Sequence, residues 1–258
     1  MRIVPARHGW MWLAKGLALF RKSPAMWLAL VLAYWIVMAL LAQIRYVGVA
    51  LSTALLPAFS VSFMIMCSVL DRGGALRPAL LFSGFRTGLS TLIALGGLYL
   101  LSLVLVLAIA SLADDGALLQ WVLSGETPRI ESLRDGSVSR ALLLASVAGT
   151  PVLIAFWFAP LLAAWDRMGA VQSLFYSFFA GWRNWRAFLL YGAGLALAGT
   201  VFLALVAAAV IVTRGRVEVV RHLAPLFTLF VLPIVLGSSY ASYRDVFPEG
   251  GIPAERAG

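Results

Sequence analysis

The chain has 258 residues, of which 62% are apolar and only 12% charged, too few polar side chains to clothe a water-soluble core of that size. Its mean hydropathy of +0.95 points to an integral membrane protein. The apolar residues run continuously rather than alternating over about ten residues, which excludes a membrane β-barrel. The net charge of +9 gathers beside the ends of the apolar runs, so anionic membrane lipids, not nucleic acid, are the expected partners.

The chain opens with a basic, aromatic segment. Trp10, Leu13, Leu17 and Phe20 align on one helical face, with Lys15 and Lys22 opposite and Arg21 beside them, the pattern of a helix lying in the membrane interface. An uncharged run over 24–44 follows. It begins too late and runs too long for a cleavable signal, and it reads as a retained first span. Pro24 suits the first helical turn, where its missing N–H costs nothing. A second span over 46–70 is separated from the first only at Arg45.

A second interfacial segment over 76–86 carries Phe82, Phe85 and Arg86 and is interrupted by Pro78. Spans over 88–112 and 141–165 come next, with a long acidic connection at 114–140 between them. Within that connection, Ala117 to Leu123 is an apolar stretch too short to cross, expected on the outer leaflet or over the hairpins. The third interfacial segment places Val171, Leu174, Phe175, Phe178, Trp182 and Trp185 on one face and Gln172, Ser173, Ser177 and Arg183 elsewhere. Arg186 follows, then spans over 187–212 and 223–243. Pro57, Pro151, Pro160 and Pro233 fall inside the second spans of the hairpins and are expected to kink them.

The expected fold class is therefore all-α: a polytopic membrane protein with six transmembrane helices in three hairpins. Each hairpin is preceded by a cytoplasmic, interfacial, amphipathic segment. The segments recur as Leu17-x-x-Phe20-Arg21, Phe82-x-x-Phe85-Arg86 and Phe179-x-x-Trp182-Arg183, and the hairpins close on Asp71-Arg72, Asp166-Arg167 and Arg244-Asp245. These marks divide a single membrane domain into repeat-like units over about 10–72, 75–167 and 170–245. Thirteen Lys and Arg residues fall on the side of the termini and seven on the other, together the 20 of the chain. The bias directs both termini to the cytoplasm of a bacterial inner membrane, with the three arginines of 213–222 as the exception.

Chemistry is scarce. Ionisable groups at mid-membrane would mark an ion or proton path, but Asp71, Asp166 and Asp245 all sit at span ends. Asp71 and Asp166 are expected to N-cap the following interfacial segments. The lone Cys67, the two separated histidines His8 and His222, and the absence of a nucleophile elbow or phosphate loop leave no catalytic, cofactor or metal site to assign. Small residues such as Gly192, Gly194, Ala196 and Ala198 in the fifth span suit close helix packing, within the monomer or in a homo-oligomer. The lipid-headgroup and interface candidates are Trp10, Lys15, Phe20, Arg21, Lys22, Arg86, Trp182, Arg183 and Arg186.

The N-terminal block Val4-Pro5-Ala6-Arg7-His8-Gly9-Trp10, with Phe20-Arg21-Lys22-Ser23-Pro24 and Trp27, resembles a proteobacterial inner-membrane family of BPSS type, which has no established activity and lends no catalytic residues. The alternation of interfacial and spanning helices is also similar to the membrane domain attached to some glycerophosphodiester phosphodiesterases. The chain lacks their catalytic domain, so that activity does not follow. Two readings stand: a non-enzymatic protein that organises lipids or a membrane partner through a basic, aromatic collar, or a transporter or flippase of a hydrophobic or amphipathic substrate.

Overall fold

The computed structural model describes residues 1–45, 47–124, 135–213 and 218–248, and among these all regular structure is helical. In chain order the helices are α1 (His8–Lys22), α2 (Pro24–Ala42), α3 (Gly48–Asp71), α4 (Leu89–Ser111), α5 (Ala117–Ser124), α6 (Ser137–Trp165), α7 (Ala170–Arg183), α8 (Trp185–Val212) and α9 (Glu218–Val246), with a 3-10 segment over Pro78–Arg86. Six of them are long and apolar enough to cross a bilayer: α2, α3, α4, α6, α8 and the part of α9 over Leu223–Val246. Pro78 opens the 3-10 segment rather than interrupting it, as expected of a residue with a fixed φ and no N–H to lose. Residues 214–217 of the 213–222 stretch, with Arg214 and Arg216, lie outside the described residues.

The second spans of the hairpins, α3, α6 and α9, form the centre. Trp165 meets Tyr243 edge-on at 5.1 Å between α6 and α9, and α3 packs against both. Each first span sits between two of these central helices. The α2 helix lies between α3 and α9, and α4 lies between α3 and α6. The α8 helix packs on α9 and meets α6 through Phe188 and Tyr191 around Trp157.

The interfacial segments close this arrangement as a ring. The 3-10 segment packs on α3, α7 on α6, and α1 on α9. Each therefore docks on the second span of the preceding hairpin, and the first segment reaches round to the last span. A glycine marks each contact. A Cβ on Gly16 would strike the backbone of Ile234 and Ser238, one on Gly84 the backbone of Ala58 and Ser62, and one on Gly181 the side chain of Ile154. Helices in lipid gain no hydrophobic driving force from association, so such close approach, with its dispersion contacts, is what holds them together.

Hydroxyls reinforce two of these contacts. Ser62 Oγ accepts from the Gly84 N–H at 2.9 Å and donates to the Ala58 carbonyl at 3.1 Å. Ser177 Oγ accepts from the Phe158 N–H and donates to the Ile154 carbonyl, both at 3.0 Å. The latter bridge falls between Pro151 and Pro160, where the helix has lost backbone donors. The polar side of α7 thus faces the bundle, not water: Ser173 and Ser177 are fully buried, while Val171, Phe175 and Trp182 stay open.

The core occupies the half of the bundle nearest the termini. In α3 all the buried residues but Gly48 fall between Pro57 and Leu70, and in α6 a run without a break extends from Phe158 to Trp165. At the opposite end, α5 folds over the ends of α4 and α6 and buries Leu118 against Ala110 and Ala141.

Candidate functional site

The end of the bundle that carries the termini holds most of the polar structure. Its N-terminal strand of chain is sewn down at several points. Asn184, at the corner between α7 and α8, accepts from the Val4 N–H at 2.8 Å and donates to the Arg2 carbonyl at 3.1 Å. The Arg2 N–H donates to the Val246 carbonyl at 2.7 Å. His8 Nδ1 lies 2.5 Å from Asp245, whose same oxygen accepts from the Trp12 indole N–H at 2.9 Å.

The hairpin-closing aspartates have other partners than those the sequence suggests. The helices after them start from Arg77 and Gly169, with no side-chain cap. Asp71 instead accepts from the Tyr240 hydroxyl at 3.1 Å, and Asp166 from the Tyr243 hydroxyl at 2.8 Å. Both tyrosines belong to α9, so the last span ties the ends of the first two hairpins together. The N-cap positions of the next segments thus fall to Arg77 and Gly169 rather than to the aspartates.

The predicted interface residues divide into two groups. Arg21, Arg86, Arg183, Trp182 and Trp10 are exposed around the rim, and Phe20 is half-buried with its ring edge-on to Phe230 at 6.3 Å. Trp182 stacks on Phe178 at 6.2 Å. Arg186 stands over the Trp185 ring at 5.4 Å, beside an apolar hollow of about 360 Å³ walled by Leu189, Leu190 and Ala193.

Lys15 and Lys22 are exposed too, but both face one cleft. They share a cavity of about 390 Å³ between α1, the end of α3 and the end of α9, with Asp71, Tyr240, Arg244 and Asp245. Lys22 Nζ donates to the Leu70 carbonyl at 2.8 Å, a favourable place for a cation at a helix C-terminus. Arg244 and Tyr240 were not separable in the sequence from ordinary boundary residues; only the turn of α9 brings them to this cavity.

A second, apolar and open-sided cavity of about 310 Å³ lies nearer the middle of the spans. Tyr34, Phe63, Tyr99 and Trp157 line it, together with Pro57 and Pro160, and its hydroxyls are those of the tyrosines, Ser60 and Ser239. Among the serines of α9, Ser238 donates to the Val235 carbonyl and Ser242 to the Ser239 carbonyl, at 2.8 and 2.7 Å. These are the back-bonds expected of serine in a helix. In the fifth span, Gly194 approaches Trp10 and Leu13 of α1, while Gly192 faces open space.

No family model matches the chain, and no solved structure is similar to it. It is 33% identical to a probable inner membrane protein of Burkholderia thailandensis, over 97% of this chain and 95% of the relative. With six bilayer-length apolar helices and end-to-end similarity to that relative, the chain belongs to the same family and is a multi-pass inner membrane protein.

Proposed function

We propose that this protein is a non-enzymatic organiser of anionic phospholipids, which it holds through the basic, aromatic collar formed by α1, the 3-10 segment and α7. The observation that carries the reading is the outward turn of the three interfacial segments. Each packs on a central span through small residues and leaves its aromatic and cationic side chains open, Trp10, Arg86, Trp182 and Arg183 among them. Aromatic rings and arginines at one depth form the pattern that binds headgroups of an anionic leaflet. The proposed orientation, termini in the cytoplasm, follows from the same excess of cations at that end.

The test is lipid retention. Replacing Lys15, Arg21, Lys22, Arg86, Arg183 and Arg186 by Gln lowers the anionic phospholipid that copurifies with the folded protein. Undiminished retention rejects the collar. A second reading, transport or flipping of an amphipathic substrate, is favoured by the apolar cavity beside Pro57 and Pro160. On that reading Ser60→Trp, which fills the cavity, abolishes movement of a fluorescent phospholipid between leaflets of reconstituted vesicles. Unaltered movement in the variant, or none in the native protein, dismisses it.

A further inference from the structure

We infer that the cavity between α1, α3 and α9 is a stoichiometric site for one phosphodiester headgroup of a membrane phospholipid, distinct from the diffuse rim. The inference rests on the lipid reading above and sharpens it to a single place. Lys15, Lys22 and Arg244 contribute three positive charges to the cavity and Asp71 and Asp245 two negative ones. The formal surplus is one positive charge, which one phosphodiester neutralises.

The carboxylates do not cancel these cations by direct pairing. Asp71 is engaged by Tyr240, and Asp245 by His8 and Trp12. Among the described residues the ion pair of this region is His8 with Asp245, and none joins a carboxylate to Lys15, Lys22 or Arg244. Three exposed cations that line one cleft without a direct counter-charge form a candidate anion site, because an anion entering it gains charge-assisted hydrogen bonds from several donors at once. Lys22 is pinned by one donor to the Leu70 carbonyl and keeps two N–H groups to offer.

Depth selects the source of the anion. Asp71 is the last residue of α3, Arg244 and Asp245 lie in the last turn of α9, and Lys22 is the last residue of α1, just before α2 begins at Pro24. The cavity therefore opens at the level where spans end and headgroups begin. Its volume of about 390 Å³ is in the range of sites that enclose a small organic group rather than a bare ion. The two carboxylates supply acceptors for the hydroxyl or ammonium groups that phospholipid headgroups carry beyond the phosphate.

The experiment compares two variants of equal charge change in the full-length protein. One is K15Q/K22Q/R244Q in the cavity, and the other is R86Q/R183Q/R186Q on the rim. Native mass spectrometry of each, titrated with phosphatidylglycerol, reads the number of lipids bound and their affinity. The cavity variant is expected to lose one tight lipid, its affinity falling tenfold or more, while the rim variant changes less than threefold. R244Q alone, which leaves the Lys22 bond intact, is expected to lose about threefold, so misfolding of the triple variant cannot imitate the result.

Equal loss in both variants, or loss in the rim variant alone, overturns the cavity site and leaves the collar reading standing. No loss in either overturns both. Inorganic phosphate and glycerol phosphate serve as soluble competitors. Displacement of the lipid by either at equimolar concentration makes the ligand a soluble phosphate and overturns the assignment to lipid; failure to displace it supports the headgroup.

Discussion

The two halves of this bundle are built differently. Near the termini, helices meet through glycines and serines, aromatic rings interlock, and the N-terminal segment, three aspartates and two tyrosines of α9 join in hydrogen bonds. In the other half the contacts thin out. The α8 helix is the clearest case: its buried residues, Ala187 and Tyr191, both fall in its first two turns, and Leu197, Val201, Leu203, Leu205 and Ile211 are open. Stacked rings of Phe202 and Phe227, 4.0 Å apart, tie it to α9 at that end. The contrast teaches that span count and span packing are separate properties. Hydropathy qualifies all six helices as spans, but small residues and polar links decide which parts pack closely.

The comparison is broken most forcefully at the glycines. Gly84→Val and Gly16→Val force a side chain into the backbone of a central span, and each is expected to cost about 3 kcal/mol or to prevent folding. Gly199→Val, beyond the packed turns of α8 and in open space, is expected to change stability by less than about 0.5 kcal/mol. Thermal unfolding in detergent measures all three. Similar losses at the three positions would erase the distinction between the halves.

Next in size is Asn184→Ala. It removes a 2% exposed side chain that satisfies the Val4 N–H and the Arg2 carbonyl, and strands the former in a buried place. The expected cost is about 2 kcal/mol, with residues 1–7 becoming open to protease. Trp157→Phe keeps an aromatic ring, smaller than the indole, and removes the donor to Ser242, a bond of 3.2 Å; a loss of about 1–2 kcal/mol is expected.

The smallest effect is at the opposite end, at Asp135. Its carboxylate accepts from the Ser137 N–H at 2.8 Å at the start of α6, and this hydrogen bond holds its pKa below the ordinary carboxylate value. The folded pKa is the lower one, so the contribution is present above the unfolded pKa and disappears as pH falls through the folded value. Asp135 is fully exposed, so only local fraying of the first turn of α6 is expected, visible by NMR and abolished in Asp135→Ala. Global unfolding on the same titration would contradict the view of this end as loosely coupled.

Much of the architecture was legible in the residues themselves. Continuous apolar runs, Pro24 at a helix start and the basic segments before each hairpin place all six spans within a few residues. The docking of the interfacial segments was not legible. In Ser173, Ser177 and Gly181 the helix carries a face that reads as water-facing or neutral, yet this is the face that packs. A hydrophobic stripe marks the core only where the alternative is water; beside lipid, the apolar face of α7 has no reason to turn inward. Asp71 and Asp166 escaped for a related reason. Local spacing favours a cap, and nothing local announces Tyr240 and Tyr243, 169 and 77 residues away. Lys15 and Lys22 stood out as cations, but their meeting with Arg244 depends on the ring of docked segments.

The docking of α1 on the last two spans also orders assembly in time. Residues 8–22 leave the ribosome before the other described helices, yet their partners α8 and α9 are the last of those helices to be made. At translation rates of about 5–20 residues per second, α1 waits on the order of ten to fifty seconds for Val246 to emerge. Its amphipathic sequence gives it somewhere to wait, lying in the interface while five other spans insert. The final step in forming this bundle is then the capture of α1 by α8 and α9, and the bundle is committed to its native form only once its last span has emerged.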